Sequence, residues 1–166
     1  MENPWREFRK EAAKALENML AKINVSIEET ELILEEPPDP KLGDLASPLC
    51  FSLAKKLKQS PLEIARAIAK EISVHKDSLI DKVEVAGEGY LNFHINSNNF
   101  NSLVLKSIGE MGDTYGSIRV GKGKKIIVEH TSANPTKPIH LGTLRCAVLG
   151  DIIGRTLKYS GYDVEI

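Results

Sequence analysis

Apolar residues in the first part of the chain recur at the spacing of amphipathic helices. Between Trp5 and Ile23 they return every three or four positions, which places them on one helical stripe. A serine followed by proline occurs at Ser47 and again at Ser60. In each case the serine can be the N-cap of a helix, and the proline is well tolerated at the first helical position. Glu63 completes the spacing of a capping box with Ser60. The pattern predicts helices over about 5–23, 48–58 and 61–74.

The period of the pattern then changes from 3.6 to 2, which is typical of strands. Val83 and Val85 alternate with charged residues, residues 87–89 supply a turn, and alternation resumes from Tyr90 to Ile95. These features predict a β-hairpin. A further helix is predicted over about 97–110, and its inward residues are Phe100, Leu103 or Val104, and Ile108.

The second strand of the hairpin has two different faces. Its apolar residues at positions 91, 93 and 95 share one face, so Tyr90, Asn92 and His94 are predicted to form a row on the other. An aromatic ring stacks on a base and an amide hydrogen-bonds to a base edge, which is how proteins hold unstacked loop nucleotides. A solvated strand face explains the same row without a ligand. The pattern alone leaves both interpretations open.

Helices around a small antiparallel sheet make residues 1–111 a predicted α+β domain. Its acidic stretch, Glu28–Asp39, is predicted to be a strand followed by a surface loop. Glycines then cluster between positions 109 and 123. Because clustered glycines between periodic segments mark a linker, we place one at 112–125.

Beyond the linker, the pattern predicts a strand, a long polar loop, a helix and a second strand. Lys124 to Glu129 is a β-branched run typical of a buried strand, and a helix with one apolar stripe begins near Thr143. Gly161 is predicted to end that helix before a strand over 162–166. The stripe consists of Leu144, Val148, Leu149, Ile152, Ile153 and Leu157. Residues 126–166 are therefore predicted to be the truncated start, the first βα(β) unit, of a Rossmann-like α/β domain.

Composition narrows the class of protein. The longest apolar runs are about four residues, whereas a membrane span needs about 20 and a signal peptide about 7–15. Cys50 and Cys146 have no metal-ligand spacing, which argues against a zinc site or a disulfide framework. A cytoplasmic protein with no metal site and no membrane partner is predicted. The formal net charge is -1, so overall attraction does not by itself predict a nucleic-acid partner.

The polar loop of the second part carries groups suited to a nucleotide. Its prolines stiffen it, Gly142 lets a ring approach the backbone, and the following helix offers N–H groups to phosphate. His140 and Lys137 add donors, while Glu129 and Asn134 suit a cationic substrate. Each of these groups is equally compatible with an ordinary solvated surface. Spacing alone leaves phosphate binding open.

The run from Glu129 to Arg145 resembles the first signature block of class I arginyl-tRNA synthetases, with His140–Thr143 in the place of the HIGH motif. Leu42-Gly43-Asp44 and Val83–Phe93 resemble the N-terminal additional domain of the same family. Three separated matches in the right order are more specific than the short motif alone. The resemblance implies an enzyme that makes arginyl-adenylate from arginine and ATP, releases pyrophosphate and passes arginine to its tRNA. The first step in this family usually needs bound tRNA.

The resemblance implies a role for each matching residue. Glu129 and Asn134 match positions that hold the arginine substrate. His140, Gly142 and Thr143 match the ATP-binding HIGH motif, in which the imidazole donates to phosphate and the glycine lets the adenine lie close.

Lys137 and Thr143 are the two distinctive positions of this block. Lys137 matches a lysine that compensates for a degenerate KMSKS motif, so it is predicted to bind ATP and to be catalytic together with His140 and Thr143. Thr143 stands where HIGH has its second histidine. A hydroxyl can donate one hydrogen bond but carries no charge, and its alternative role is to cap the helix.

Tyr90 and Asn92 match residues that contact a base of the tRNA D-loop. The implied partners are arginine, ATP and arginine tRNA, with Mg²⁺ as the counterion of ATP. Because the sequence reaches Ile166 before a KMSKS loop or an anticodon-binding domain, the chain alone is expected to be inactive. Two other interpretations stay open: a free-standing tRNA-binding module without catalysis, and a nucleotidyltransferase of the HxGH type.

Overall fold

The computed structural model describes residues 3–25 and 32–166. The chain forms two compact units, Met1–Glu110 and Met111–Ile166. The elements of the first unit are α1 (Pro4–Lys22), β1 (Leu45–Ser47), α2 (Leu49–Leu57), α3 (Pro61–Glu71), β2 (Ile80–Ala86), β3 (Tyr90–Ile95) and α4 (Ser97–Met111). Those of the second are β4 (Lys125–Ile127), α5 (Leu141–Tyr159) and β5 (Asp163–Glu165). None of the described helices is long and apolar enough to span a bilayer.

The first unit is built on an antiparallel sheet with the strand order β1-β3-β2. The central strand, β3, pairs Phe93 with Leu45 on one side and with Val83 on the other. Its apolar face is covered by helices, and the fully buried large side chains there include Phe8, Leu16, Leu49, Leu53, Leu91 and Phe93. The predicted α+β class and the predicted hairpin are confirmed.

Helix starts follow local chemistry only in part. Asn3 caps α1 by accepting a hydrogen bond of 2.8 Å from the N–H of Trp5. Ser60 is the N-cap of α3, but its side chain makes no capping hydrogen bond there, so the predicted capping box with Glu63 does not form. Ser47 belongs to β1 instead of capping α2, although its Oγ still accepts from the Leu49 N–H at 3.3 Å. Ser47 therefore pairs with β3 through its backbone and bonds to the start of α2 through its side chain.

The acidic stretch forms less regular structure than predicted. Residues 28–31, part of the predicted strand, lie outside the described residues. Glu35 forms a single antiparallel bridge with Ala46, through N–H to O bonds of 2.9 and 2.7 Å. Pro40–Leu42 then forms one turn of 3₁₀ helix.

The inward stripe of α4 differs from the prediction at its end. Phe100, Leu103 and Val104 are partly buried as expected, but Ile108 is 42% exposed and Ser107 is fully buried instead. Positions 100, 103, 104 and 107 continue one helical stripe, which leaves 108 on its outer edge. The prediction of an inward Ile108 is therefore wrong, because it followed the apolar character of the residue and not its place on the stripe.

The second unit contains a parallel pair, β4 and β5, with Ile126 opposite Val164 and α5 between them in the chain. The βαβ start is confirmed, and Gly161, at φ +85°, follows the C-cap of α5 as predicted. The predicted burial of the first strand is wrong, because a two-stranded sheet leaves its far face uncovered and Ile127 is 73% exposed. The buried residues of α5 are Gly150 and Gly154, whereas most of its predicted apolar stripe is exposed.

Candidate functional site

The loop of residues 128–140 connects the carboxyl end of β4 to the start of α5. Glu129 lies at its beginning with an exposed side chain, and its Oε1 accepts a hydrogen bond of 3.2 Å from Ser132 Oγ. This bond holds one oxygen of the carboxylate. The carboxylate can therefore present its negative charge to a cation from a defined position.

Asn134 organises the middle of this loop. Its Oδ1 accepts from the Thr136 N–H at 3.0 Å and from Thr136 Oγ1 at 2.7 Å. The Lys137 N–H donates to the Asn134 carbonyl at 3.2 Å, which closes a turn. Because both side-chain bonds use Oδ1, the chemistry that Asn134 can offer a ligand is the pair of Nδ2 donors.

His140 caps α5, which begins at Leu141 and not near Thr143. The His140 Nδ1 accepts from the Thr143 N–H at 3.3 Å, and Thr143 Oγ1 lies 3.4 Å from His140 Nε2. The alternative that Thr143 caps the helix is therefore wrong. With Nδ1 accepting from the helix N–H, Nε2 is the ring nitrogen that can offer an N–H to a phosphate oxygen.

Gly142 makes room for the imidazole of His140 itself. A β-carbon at Gly142 would lie 3.1 Å from His140 Cε1 and 3.2 Å from Nδ1. The cap and the glycine thus depend on each other. The N–H groups of the first turn of α5 lie at the same place. They carry partial positive charge and therefore favour an anion.

Tyr90 and Asn92 lie on the sheet of the first unit, and the prediction that both face outward is wrong for Asn92. Tyr90 is 38% exposed and packs edge-on against Phe51, with 5.1 Å between ring centroids. Asn92, predicted to lie in an outward row with Tyr90 and His94, is only 3% exposed, and its Nδ2 donates to the Leu42 carbonyl at 2.7 Å. The reason is tertiary, because the segment around Gly43 crosses this face of the sheet.

One backbone bond and one side-chain bond hold the crossing segment and explain the Leu42-Gly43-Asp44 sequence. The Asp44 N–H donates to the Phe93 carbonyl at 2.9 Å, and Asp44 Oδ2 accepts from the Ile95 N–H at 2.8 Å. Gly43 has φ +118°, and a β-carbon there would lie 3.0 Å from the Phe93 carbonyl oxygen. Only glycine combines this φ with so close an approach to the strand.

Tyr90 and Asn92 line one cavity of about 450 Å³. Its other walls include Glu35, Pro38 and Ala86. Asn92 Oδ1 is buried, and no donor within residues 3–25 and 32–166 reaches it. An unsatisfied buried acceptor of this kind costs about 1–3 kcal/mol.

Glu84 and His94 flank the same strand pair. His94 Nε2 lies 2.9 Å from Glu84 Oε2, and Lys82 Nζ lies 2.8 Å from Glu84 Oε1. The hydrogen bond from Lys82, followed by the nearby His94, holds the pKa of Glu84 below its ordinary value. His94 Nε2 thus faces the Glu84 carboxylate and is not part of an open row with Tyr90.

Sequence reasoning missed the opposite wall of the cavity. Glu35, Pro38 and Leu42 precede Tyr90 by about fifty residues, and no periodic pattern links them to it. Only the match of Leu42-Gly43-Asp44 to a family pattern indicated that this segment belongs with the strand.

Two family models match this chain. The N-terminal domain of arginyl-tRNA synthetases matches residues 9–95, and the catalytic domain of class I (R) tRNA synthetases matches residues 105–165. The folded units and the HIGH-like helix start are therefore those of a class I aminoacyl-tRNA synthetase. More narrowly, the chain belongs to the arginyl-tRNA synthetase family, and the predicted resemblance is confirmed.

Individual relatives agree with this assignment. Arginine–tRNA ligase of Thermococcus sibiricus is 45% identical over 138 residues, which cover 83% of this chain and 21% of the relative. Arginine–tRNA ligase of Methanosphaera stadtmanae is 40% identical over 161 residues, 97% of this chain and 27% of the relative. The solved arginyl-tRNA synthetase of Plasmodium falciparum shares the fold with a TM-score of 0.58 at 19% identity, covering 94% of this chain and 29% of that one. The chain thus spans about a quarter of the length of the curated relatives it matches.

Proposed function

We propose that these residues form the N-terminal part of an arginine–tRNA ligase, which activates arginine with ATP and attaches it to arginine tRNA in the cytoplasm. The main support is the loop from Glu129 to His140 in a chain of this family. It begins with a carboxylate at a strand end and finishes at an imidazole-capped helix N-terminus. Such a loop offers a site for a cation and a site for phosphate on one short segment.

In the arginine half of the proposed site, Glu129 pairs with a positive group of the substrate. The Nδ2 donors of Asn134 can bind an acceptor, and the α-carboxylate of arginine supplies one. In the ATP half, Nε2–H of His140, the ammonium of Lys137 and the N–H groups of Leu141 and Gly142 receive the phosphates. Gly142 and Thr143 maintain the imidazole orientation through the contacts described above.

The reaction needs these two halves at a fixed separation. An arginine carboxylate oxygen bonds to the α-phosphorus of ATP, the bond from that phosphorus to the bridging oxygen breaks, and pyrophosphate leaves. Donors fixed before the reaction stabilise the charge that develops on the phosphate. Mg²⁺, as the counterion of ATP, would neutralise phosphate charge. The described residues include no group of three or more His, Cys, Asp or Glu side chains that could hold a metal ion, so we assign no protein ligand to it.

The first unit is proposed to contact the tRNA D-loop through Tyr90 and Asn92. The exposed ring offers a stacking surface, and Asn92 lies in the wall of the same cavity beside it. We also propose residues 1–111 as the tRNA-binding domain and 112–125 as a linker to the catalytic start at 126–166.

The proposal is tested by arginine-dependent exchange of pyrophosphate into ATP, measured on the complete enzyme that carries this segment with arginine tRNA present. Arginine should stimulate exchange, and other amino acids should not. Residues 1–166 alone should bind tRNA without exchange. A complete enzyme that binds arginine tRNA but shows no exchange would instead support a non-catalytic binding module. Exchange without any dependence on arginine would support a nucleotidyltransferase.

Tyr90→Ala should weaken binding of arginine tRNA by about 1–3 kcal/mol, or roughly fivefold to 150-fold, because one base loses its aromatic partner. A filter-binding titration of residues 1–166 measures this change. Tyr115→Ala is the matched control, since Tyr115 is also 38% exposed but lies in the second unit. Tyr90→Phe should keep most of the affinity. Equal affinities for Tyr90→Ala and the unsubstituted chain would exclude Tyr90 from the interface.

A further inference from the structure

His130 of the proposed substrate loop packs closely against Gly150 of α5. His130 follows Glu129 directly and is partly buried. A β-carbon on Gly150 would lie 2.1 Å from His130 Cβ and 2.3 Å from Cγ, whereas real Cβ contacts essentially never fall below 3.0 Å. The start of the loop therefore rests on the backbone of α5, with no side chain between them.

The residue after His130 is held in an unusual conformation. Thr131 has φ +68°, a value that is rare for a β-branched residue. The hydroxyl of Thr131 lies 2.6 Å from His130 Nδ1, so the imidazole is tied to this turn. An uncommon backbone conformation persists only where its surroundings determine it, and here those surroundings include the docked imidazole.

We propose that His130 and Gly150 are positioning residues that set the distance between the arginine half and the ATP half of the site. The inference rests on the proposed function. Glu129 is bonded to His130 in the chain, and His140 caps the same helix that has Gly150 at its middle. The contact therefore joins the carboxylate that meets arginine to the helix start that meets phosphate. Neither positioning residue touches a substrate.

The expected effect follows from the need for near-attack geometry. A displacement of about 1 Å between reacting groups can lower a rate by about 100-fold, even when each group still binds its own substrate. An alanine methyl at position 150 requires a shift of that size, because the contact must open from 2.1 Å to at least 3.0 Å. The atom it meets is Cβ of His130, which cannot move away without the backbone.

Gly150→Ala in the complete enzyme should lower kcat for arginine-dependent pyrophosphate exchange by about 100-fold. The KM values for ATP and for arginine should each stay within about threefold, because each half of the site keeps its own groups. Gly154→Ala is the matched control, since it lies one turn further along α5 and meets only the flexible tip of Ile166, at 3.1 Å. It should leave kcat within about threefold.

His130→Gly provides a variant that cannot clash. It should lower kcat by about tenfold at unchanged KM, and adding Gly150→Ala to it should cost little more, because the atoms that clash are gone. A Gly150→Ala enzyme with normal kcat overturns the inference, as does a loss confined to KM. If Gly150→Ala does not fold, His130→Gly decides, and normal kcat in that variant also overturns it. Absence of exchange in the unsubstituted enzyme would contradict the proposed function itself.

Discussion

Replacing Phe93 with alanine is expected to lower the free energy of unfolding of the first unit by about 3–5 kcal/mol. Phe93 is fully buried at the centre of β3 and pairs with strands on both sides. The loss combines the transfer energy of the ring with the cavity that its removal leaves. An effect of this size is a large fraction of the stability of a small domain.

The measurement is urea denaturation of residues 1–166 followed by tryptophan fluorescence. The chain has one tryptophan, Trp5, whose ring centroid lies 5.6 Å from that of Phe8 in the first unit. The signal therefore reports the unfolding of that unit. Leu105→Ala is the control, because Leu105 is 70% exposed and its truncation should change stability by less than about 0.5 kcal/mol. A cost below about 1 kcal/mol for Phe93→Ala would contradict the central place of Phe93 in the core.

His140→Ala is expected to lower kcat/KM for arginine-dependent exchange in the complete enzyme by roughly 100-fold to 1000-fold, or about 3–4 kcal/mol of transition-state stabilisation. The substitution removes the proposed phosphate donor at Nε2. It also removes the cap on the Thr143 N–H, which is worth about 0.5–2 kcal/mol of helix stability.

His140→Asn separates these two losses. Asparagine is a good N-cap, so α5 should remain as stable as in the unsubstituted enzyme, whereas exchange should still fall because the imidazole is absent. If His140→Asn restores full exchange, the histidine acts only as a cap.

Thr143→His tests the neighbouring position. We expect its rate of exchange to stay within about tenfold of that of the unsubstituted enzyme, or about 1.4 kcal/mol, because the Thr143 side chain carries no charge in the proposed mechanism.

Local pattern was sufficient for most elements of the first unit. The stripe from Trp5 onward, the alternation before and after residues 87–89, and the stripe starting at Phe100 each predicted an element that the structure contains. These signals depend on periodicity within about ten residues, where one face of each element meets the core. β1, with only three residues, was missed because it is too short to show a period.

Asn92 illustrates what periodicity cannot provide. Alternation correctly placed it opposite Leu91 and Phe93, but it could not show that a distant segment covers that second face. The same limit affected α5. Its apolar stripe predicted a buried face, yet the residues that pack against the strand ends are two glycines, which carry no hydropathy signal.

By itself, the sequence determined the order and type of the main elements, the α+β unit followed by a βαβ start, and the family motif from Glu129 to Arg145. Tertiary structure alone decided that Asn92 is buried with an unsatisfied oxygen, that His140 and not Thr143 caps α5, and that His130 rests on Gly150. The physical reason is that secondary structure follows from neighbours close in the chain. Burial and close approach depend on segments that meet only after the chain has folded.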